Sequence, residues 1–222
     1  MFNIQAQNDF NYNNSLSTIN KDIPKLIIWD FDGTIVHSGD SDRHALKTIL
    51  AKNPELKGGV DVFWLTEGLP IMKRLELAWP GKSEELLTAF IYDGLPKIFP
   101  GIINILEKIK TLAIRQALVS SRSHTTLDKT LKSLNINDLF DLITGLEDVT
   151  KEKPSPEGLL HTCDFFKISP ADTLYIGDTV LDIEAGRHAG IKTLMADWKH
   201  YINQNPTTGA ILADPREVLL AL

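Results

Sequence analysis

Residues 26–34 read Leu26-Ile27-Ile28-Trp29-Asp30-Phe31-Asp32-Gly33-Thr34, an apolar run that ends in two acids one residue apart and a glycine. The run is short, continuous and rich in β-branched and aromatic side chains, which predicts a buried strand. Along an extended chain residues i and i+2 point the same way. Asp30 and Asp32 therefore share one side at the strand's C-terminal end, while Phe31 turns into the core. Gly33 lets the chain turn sharply and approach a ligand closely. Asp and Gly are also ordinary turn formers, so the stretch acquires chemical meaning only together with the rest of the chain.

Further strands are expected at Gln116–Val119, Leu142–Thr144, Leu174–Ile176 and Lys192–Met195. Helical periodicity separates them, over Ile102–Thr111, Thr125–Leu134, Glu157–Phe166 and Val180–Ala189. Strands alternating with helices predict an α/β fold with a parallel sheet covered on both faces. Such sheets bind ligands outside the carboxyl ends of their strands. Asp30, Ser120 and Asp178 each end a strand in this reading and should converge there. Between the first strand and the rest, Asp42 to Asp93 reads as short helices, with Ala45, Leu46, Ile49 and Leu50 at helical spacing and Pro54, Gly58, Gly59, Pro80 and Gly81 as breaks.

The chain has 222 residues, 43% of them hydrophobic, enough for one domain with a substantial insertion. Its net charge of -6, with 29 acids against 23 bases, gives no electrostatic support for nucleic acid or an anionic membrane as partner. Cys163 is the only cysteine, which excludes an internal disulfide and suits a reducing compartment. Its apolar helical neighbours suggest a buried thiol rather than a nucleophile. No apolar stretch is long enough to span a bilayer and no signal peptide is evident, so a cytoplasmic location is expected. Residues 1–21 are Asn-rich and without periodicity, and read as a loosely attached extension.

Three further stretches come after Asp30-Phe31-Asp32-Gly33-Thr34 in order. They are Ala117-Leu118-Val119-Ser120-Ser121-Arg122, Lys153-Pro154-Ser155-Pro156-Glu157, and Leu174-Tyr175-Ile176-Gly177-Asp178-Thr179 continuing through Asp182 to Ala189-Gly190. Together they resemble the four motifs of the haloacid dehalogenase superfamily of phosphohydrolases, and the resemblance covers nearly everything from Pro24 to Leu222. It implies a Rossmann-like parallel sheet core, residues 22–36 and 100–222, with an inserted small α-helical cap, residues 37–99. The activity implied is that of a Mg2+-dependent phosphatase acting on a small phosphorylated metabolite, a phosphoglycolate-like monoester, through an aspartyl-phosphate.

Carried onto this sequence, the resemblance makes Asp30 the nucleophile and Asp32 the proton carrier, with Ser120 and Lys153 as partners of the phosphoryl group. It assigns the metal to Asp30, Asp178 and the backbone carbonyl of Asp32. Asp182, four residues beyond Asp178, can face the same side of the following helix and orient a metal-bound water. Ser121, Arg122 and His124 are candidates for touching substrate. Gly68-Leu69-Pro70 resembles the specificity loop of phosphoglycolate phosphatase-like members, with Gly68 and Arg74 as candidates there. His37 departs from the Asp or Asn common in the hinge. Two alternatives share most of these residues: a sugar-phosphate mutase of the β-phosphoglucomutase type, and a non-catalytic phosphate-binding module. The paired acids Asp30 and Asp32 argue against the latter.

Overall fold

A computed structural model describes residues 23–66, 69–92, 96–198 and 210–222. The amino-terminal extension and Gly68 lie outside the described residues. Among the described residues eight strands occur in chain order: β1 Leu26–Trp29, β2 Val36–His37, β3 Lys97–Ile98, β4 Arg115–Val119, β5 Leu142–Thr144, β6 Thr173–Gly177, β7 Lys192–Ala196 and β8 Ala210–Leu212. Six of them form one parallel sheet in the order β5-β4-β1-β6-β7-β8. The strand with the paired acids is thus central. β2 and β3 make a separate antiparallel pair.

All four residues of β1 are fully buried, because the sheet carries apolar side chains on both faces. Ile27 and Trp29 join Leu118, Ile176 and Leu194 on one face, beneath helices α5 (Ile102–Thr111) and α6 (His124–Ser133). Leu26 and Ile28 join Ala117, Val119 and Tyr175 on the other, beneath α7 (Glu157–Phe166) and α8 (Val180–Ala189). This period-two division is what a parallel sheet covered by helices requires. Helix α5 shows the matching 3.6-residue pattern, turning Ile102, Ile105, Leu106 and Ile109 inward. The Cys163 thiol is free and buried in the second cluster.

Between β2 and β3 the described residues hold four helices, α1 Gly39–Lys52, α2 Val60–Leu65, α3 Ile71–Ala78 and α4 Ser83–Tyr92. A 3-10 turn over Pro54–Gly59 separates the first two. These helices enclose a core of their own, Leu46, Ile49, Leu56, Phe63, Leu75, Trp79 and Leu86, which shares no member with the two sheet clusters. The helical insertion is therefore a distinct hydrophobic unit on a two-stranded stalk. His37, the unusual hinge residue, packs its ring 5.4 Å from that of Phe99 beside this stalk. Strands of two residues, such as β2 and β3, are too short to show periodicity; of the three-residue strands, β5 lies where Leu142–Thr144 predicts it and β8 is an addition.

Because the insertion has its own core, Phe63→Ala should cost about 3–5 kcal/mol and act locally. Hydrogen exchange should accelerate across α1 to α4 while amides of β1, β4 and β6 keep their protection. Equal loss of protection in the sheet would show that the two cores unfold as one.

Candidate active site

The register of three adjacent strands places the polar residues together. Trp29 lies opposite Leu118 of β4 and Ile176 of β6, so Asp30, which comes directly after Trp29, stands level with Val119 and Gly177. Ser120 and Asp178 come one residue later on either side. The Asp30 N–H donates to the Ile176 carbonyl at 2.8 Å and that of Ser120 to the Thr144 carbonyl at 3.0 Å, which extends the sheet's hydrogen bonding right up to these residues. Gly33 then reverses the chain at φ +86°, and a Cβ there would lie 1.7 Å from Asp178 Oδ2. Only glycine lets the first loop pass beneath that carboxylate.

Lys153 reaches in from the segment before α7. Its Nζ donates to Asp30 Oδ1 at 2.6 Å and to Asp182 Oδ1 at 2.7 Å. Asp182 is almost fully buried, in the first turn of α8, where it forms a capping box with Thr179. Its Oδ2 accepts from the Thr179 N–H at 3.0 Å and from Thr179 Oγ1 at 2.6 Å. The Tyr175 hydroxyl donates to Oδ1. On the opposite side, Arg122 forks Asp32, Nε to Oδ2 and Nη2 to Oδ1, both at 2.6 Å. The Arg122 N–H donates to Ser120 Oγ at 3.2 Å.

The two acids of β1 therefore have different electrostatic surroundings. Burial pushes the Asp30 carboxyl up to about 7, with Lys153 opposing and the neighbouring Asp182 and Asp32 reinforcing. Burial also disfavours charge on Asp32, but the Arg122 fork and a Ser38 hydrogen bond outweigh it and hold that carboxyl below its ordinary value. Lys153 loses by burial and gains more from Asp182 and Asp30, so its ammonium is held well above its usual range. Oxygen atoms of Asp30, Asp178 and Asp182 lie within 4.8 Å of one another. A cluster of carboxylate oxygens suits a hard divalent cation such as Mg2+.

Other expected residues sit farther out or are engaged elsewhere. Ser121 lines a cavity of about 20 Å3 with Ser120, Thr144, Lys153 and Ser155, room for roughly one water. The larger concavity, about 450 Å3, lies between α1 and α2 and contains none of these acids, so size alone does not mark the site. Arg74 is buried inside the insertion, with Nη1 on Asp42 Oδ2 at 2.9 Å, Nε and Nη2 on the Phe63 carbonyl, and its guanidinium 3.9 Å from the Phe63 ring centroid. It still contributes to the field at Asp32. His124 pairs through Nδ1 with Asp148 at 2.7 Å at the start of α6.

Tyr175, Asp42 and Trp198 also touch residues of the site or its loops, and no motif in the sequence marks them for that role. Trp198 donates its indole N–H to the Thr34 carbonyl at 2.9 Å, tying the loop after Asp32 to the segment beyond β7. Each looks like a core or surface residue in one dimension, and only Tyr175, two residues before Gly177-Asp178 on a strand, carried a signal that could have been pursued.

A sequence model of haloacid dehalogenase-like hydrolases matches residues 27–196, from β1 to the end of β7. The chain belongs to that family. It is 31% identical to a phosphoglycolate phosphatase of Aquifex aeolicus over 185 residues, covering 78% of this chain and 85% of the relative. It is also 24% identical to a pyrophosphatase of Halalkalibacterium halodurans, covering 78% and 83% of the two chains. The crystal structure of a subfamily IA hydrolase of the superfamily from Geobacter sulfurreducens matches with a TM-score of 0.69 at 20% identity, over 90% of this chain and 97% of the other. That structure shares the fold. The protein is accordingly a phosphatase-type hydrolase of this family, and no helix among the described residues is long and apolar enough to cross a membrane.

The raised Asp30 value has a consequence for stability. Between about pH 4 and about pH 7 the native carboxyl holds a proton that the unfolded chain, at 3.8, has released, so this group lowers stability as pH rises through that window. Asp30→Asn removes the titration. In metal-free buffer the variant should gain on the parent from about pH 5 to about pH 7 and level off above, as measured by urea unfolding. A difference that stays constant with pH would place the Asp30 carboxyl at its ordinary value.

Proposed function

We propose that this protein is a magnesium-dependent phosphatase that hydrolyses a small, phosphoglycolate-like monoester through an aspartyl-phosphate on Asp30. The observation that carries the reading is the division of labour between the acids of β1. Asp30 meets the Lys153 ammonium and lies in the carboxylate cluster with Asp178. Asp32, on the same side of the chain, is held by Arg122 instead. A cation bound beside Asp30 would favour its ionised form as nucleophile, and opening of the Arg122 fork would let Asp32 take up a proton, so the two carboxyls can be switched separately.

Asp30 attacks phosphorus in line, forming the acyl phosphate as the bond to the ester oxygen breaks. Asp32, which the Arg122 fork holds ionised, first loses that fork and takes up a proton from solvent; it then delivers the proton to the departing oxygen and later takes one from the water that cleaves the acyl phosphate. Lys153 has one N–H beyond those on Asp30 and Asp182 and offers it to a phosphoryl oxygen, as does the Ser120 hydroxyl. The carboxylates of Asp30 and Asp178 with the Asp32 carbonyl would hold Mg2+, which neutralises charge between nucleophile and substrate when bound. The helical insertion, residues 37–99 in this reading, serves as the cap.

Arg122 has a particular place in this scheme. Of the site's cations, Lys153 and Arg74 have side chains only 9% and 8% exposed, whereas that of Arg122 is 25% exposed. Of these three it is the one with the most contact with solvent. Both Asp32 oxygens accept from Arg122 in the described state, so proton transfer by Asp32 requires the fork to open. The phosphoryl group is the anion that draws the guanidinium away.

With p-nitrophenyl phosphate as substrate, Asp30→Asn should lower kcat roughly a thousandfold or more, and EDTA should silence the parent until magnesium is restored. Substantial turnover by the Asn variant would rule out the covalent route. Arg122→Gln should raise KM about tenfold or more, the loss of a charged hydrogen-bonding partner, with a smaller change in kcat. An unchanged KM would mean that Arg122 never leaves Asp32.

A further inference from the structure

We infer that Tyr175, a residue of the sheet core by sequence, is a positioning residue that sets the place of the Lys153 ammonium through Asp182. The inference rests on the roles proposed for Asp30 and Lys153 in phosphoryl transfer.

Asp182 has a full set of partners. Lys153 Nζ and the Tyr175 hydroxyl share its Oδ1, while the Thr179 N–H and Oγ1 share its Oδ2. An ionised carboxylate offers about four lone-pair sites, so a metal-bound water would have to displace one of these donors. The carboxylate is only 1% exposed, which strengthens each of those bonds and leaves little freedom for it to turn. Asp182 is better suited to holding Lys153 than to holding water.

Tyr175 supports the same ammonium twice. Its ring centroid lies 5.5 Å from Lys153 Nζ, within the range of a cation–π contact. Its hydroxyl takes part of the negative charge on the oxygen that Lys153 also binds. The ring is fully buried and its backbone is fixed in register against Ile28 of β1 and Thr193 of β7. Lys153, at the end of a flexible stem, is thus seated on groups that the sheet itself holds still. Removing only the hydroxyl leaves Asp182 Oδ1 to Lys153 alone. The undivided charge then draws the ammonium toward Asp182 and away from Asp30 and the phosphoryl oxygens.

A tyrosine that merely satisfies its buried hydroxyl on the nearest acceptor would affect stability and nothing else. Tyr175→Phe keeps the ring and separates the two roles. We expect kcat for p-nitrophenyl phosphate to fall about tenfold, because a displaced charge costs less than a deleted one, and KM to rise in step with the weakened phosphate binding. Binding of inorganic phosphate, measured by calorimetry without turnover, supplies a double-mutant cycle with Lys153→Gln. Tyr175→Phe should weaken phosphate binding in the parent and leave it unchanged in the Lys153→Gln background, since it acts through that lysine. Parental kcat in Tyr175→Phe, or equal weakening in both backgrounds, overturns the inference while leaving the phosphatase reading intact. A parent protein that neither hydrolyses p-nitrophenyl phosphate nor binds phosphate overturns both.

Discussion

The buried ammonium of Lys153 is the contact on which the site depends. Asp30, Asp178 and Asp182 bring carboxylate oxygens within 4.8 Å of one another at the end of a hydrophobic sheet, an arrangement that repels itself and that burial makes worse. Lys153 binds two of the three, and neither it nor they have much contact with water. A buried pair of this kind does not have to add stability, since the desolvation of both partners offsets much of their attraction. What it does is define positions. Asp30 cannot turn away from Lys153 without leaving a buried cation short of a partner.

The fold serves that contact by register. Three parallel strands end at nearly the same height, so residues separated by about 90 and 150 positions in the chain become neighbours, as parallel connections through helices allow. Glycine completes the arrangement at one point above all, where Gly33 passes under Asp178 with no room for a Cβ. The helical insertion obeys other rules. It carries its own core and an internal Asp42–Arg74 pair. Its charges nevertheless reach the field around Asp32 and Arg122.

Much of this was legible in one dimension. The apolar runs at Leu26, Ala117 and Leu174 are strands because both faces of the sheet are covered, and a strand buried on both sides leaves a continuous hydrophobic trace. Helices α5, α7 and α8 have the boundaries that their periodicity predicts, with Thr179 and Gly190 marking the two ends of α8. Less was visible where strands are short or partners lie far apart. The β2–β3 pair spans two residues on each side, too few for any period. Asp182 has the spacing of a residue facing a metal and lies in the carboxylate cluster with Asp30 and Asp178, but its bonds to Lys153, Tyr175 and Thr179 follow from no pattern along the chain. Arg74 is a basic residue near a resembled specificity loop, yet packing turns it onto Asp42 and Phe63.

The sequence alone determined the strand that ends in Asp30 and Asp32, the alternation that builds a parallel sheet around it, and the family whose motifs it carries. These depend on local patterns, namely hydrophobic period, glycine placement and the spacing of acids, which need no knowledge of distant neighbours. Tertiary structure decided the remaining contacts between cations and anions. The resemblance already placed Lys153 beside the Asp30 nucleophile, but its second bond to Asp182 and the Arg122 fork on Asp32 depend on where strands and loops end in space. Electrostatic energy between buried charges depends on distances of a few ångströms, and no pattern along the chain records those distances.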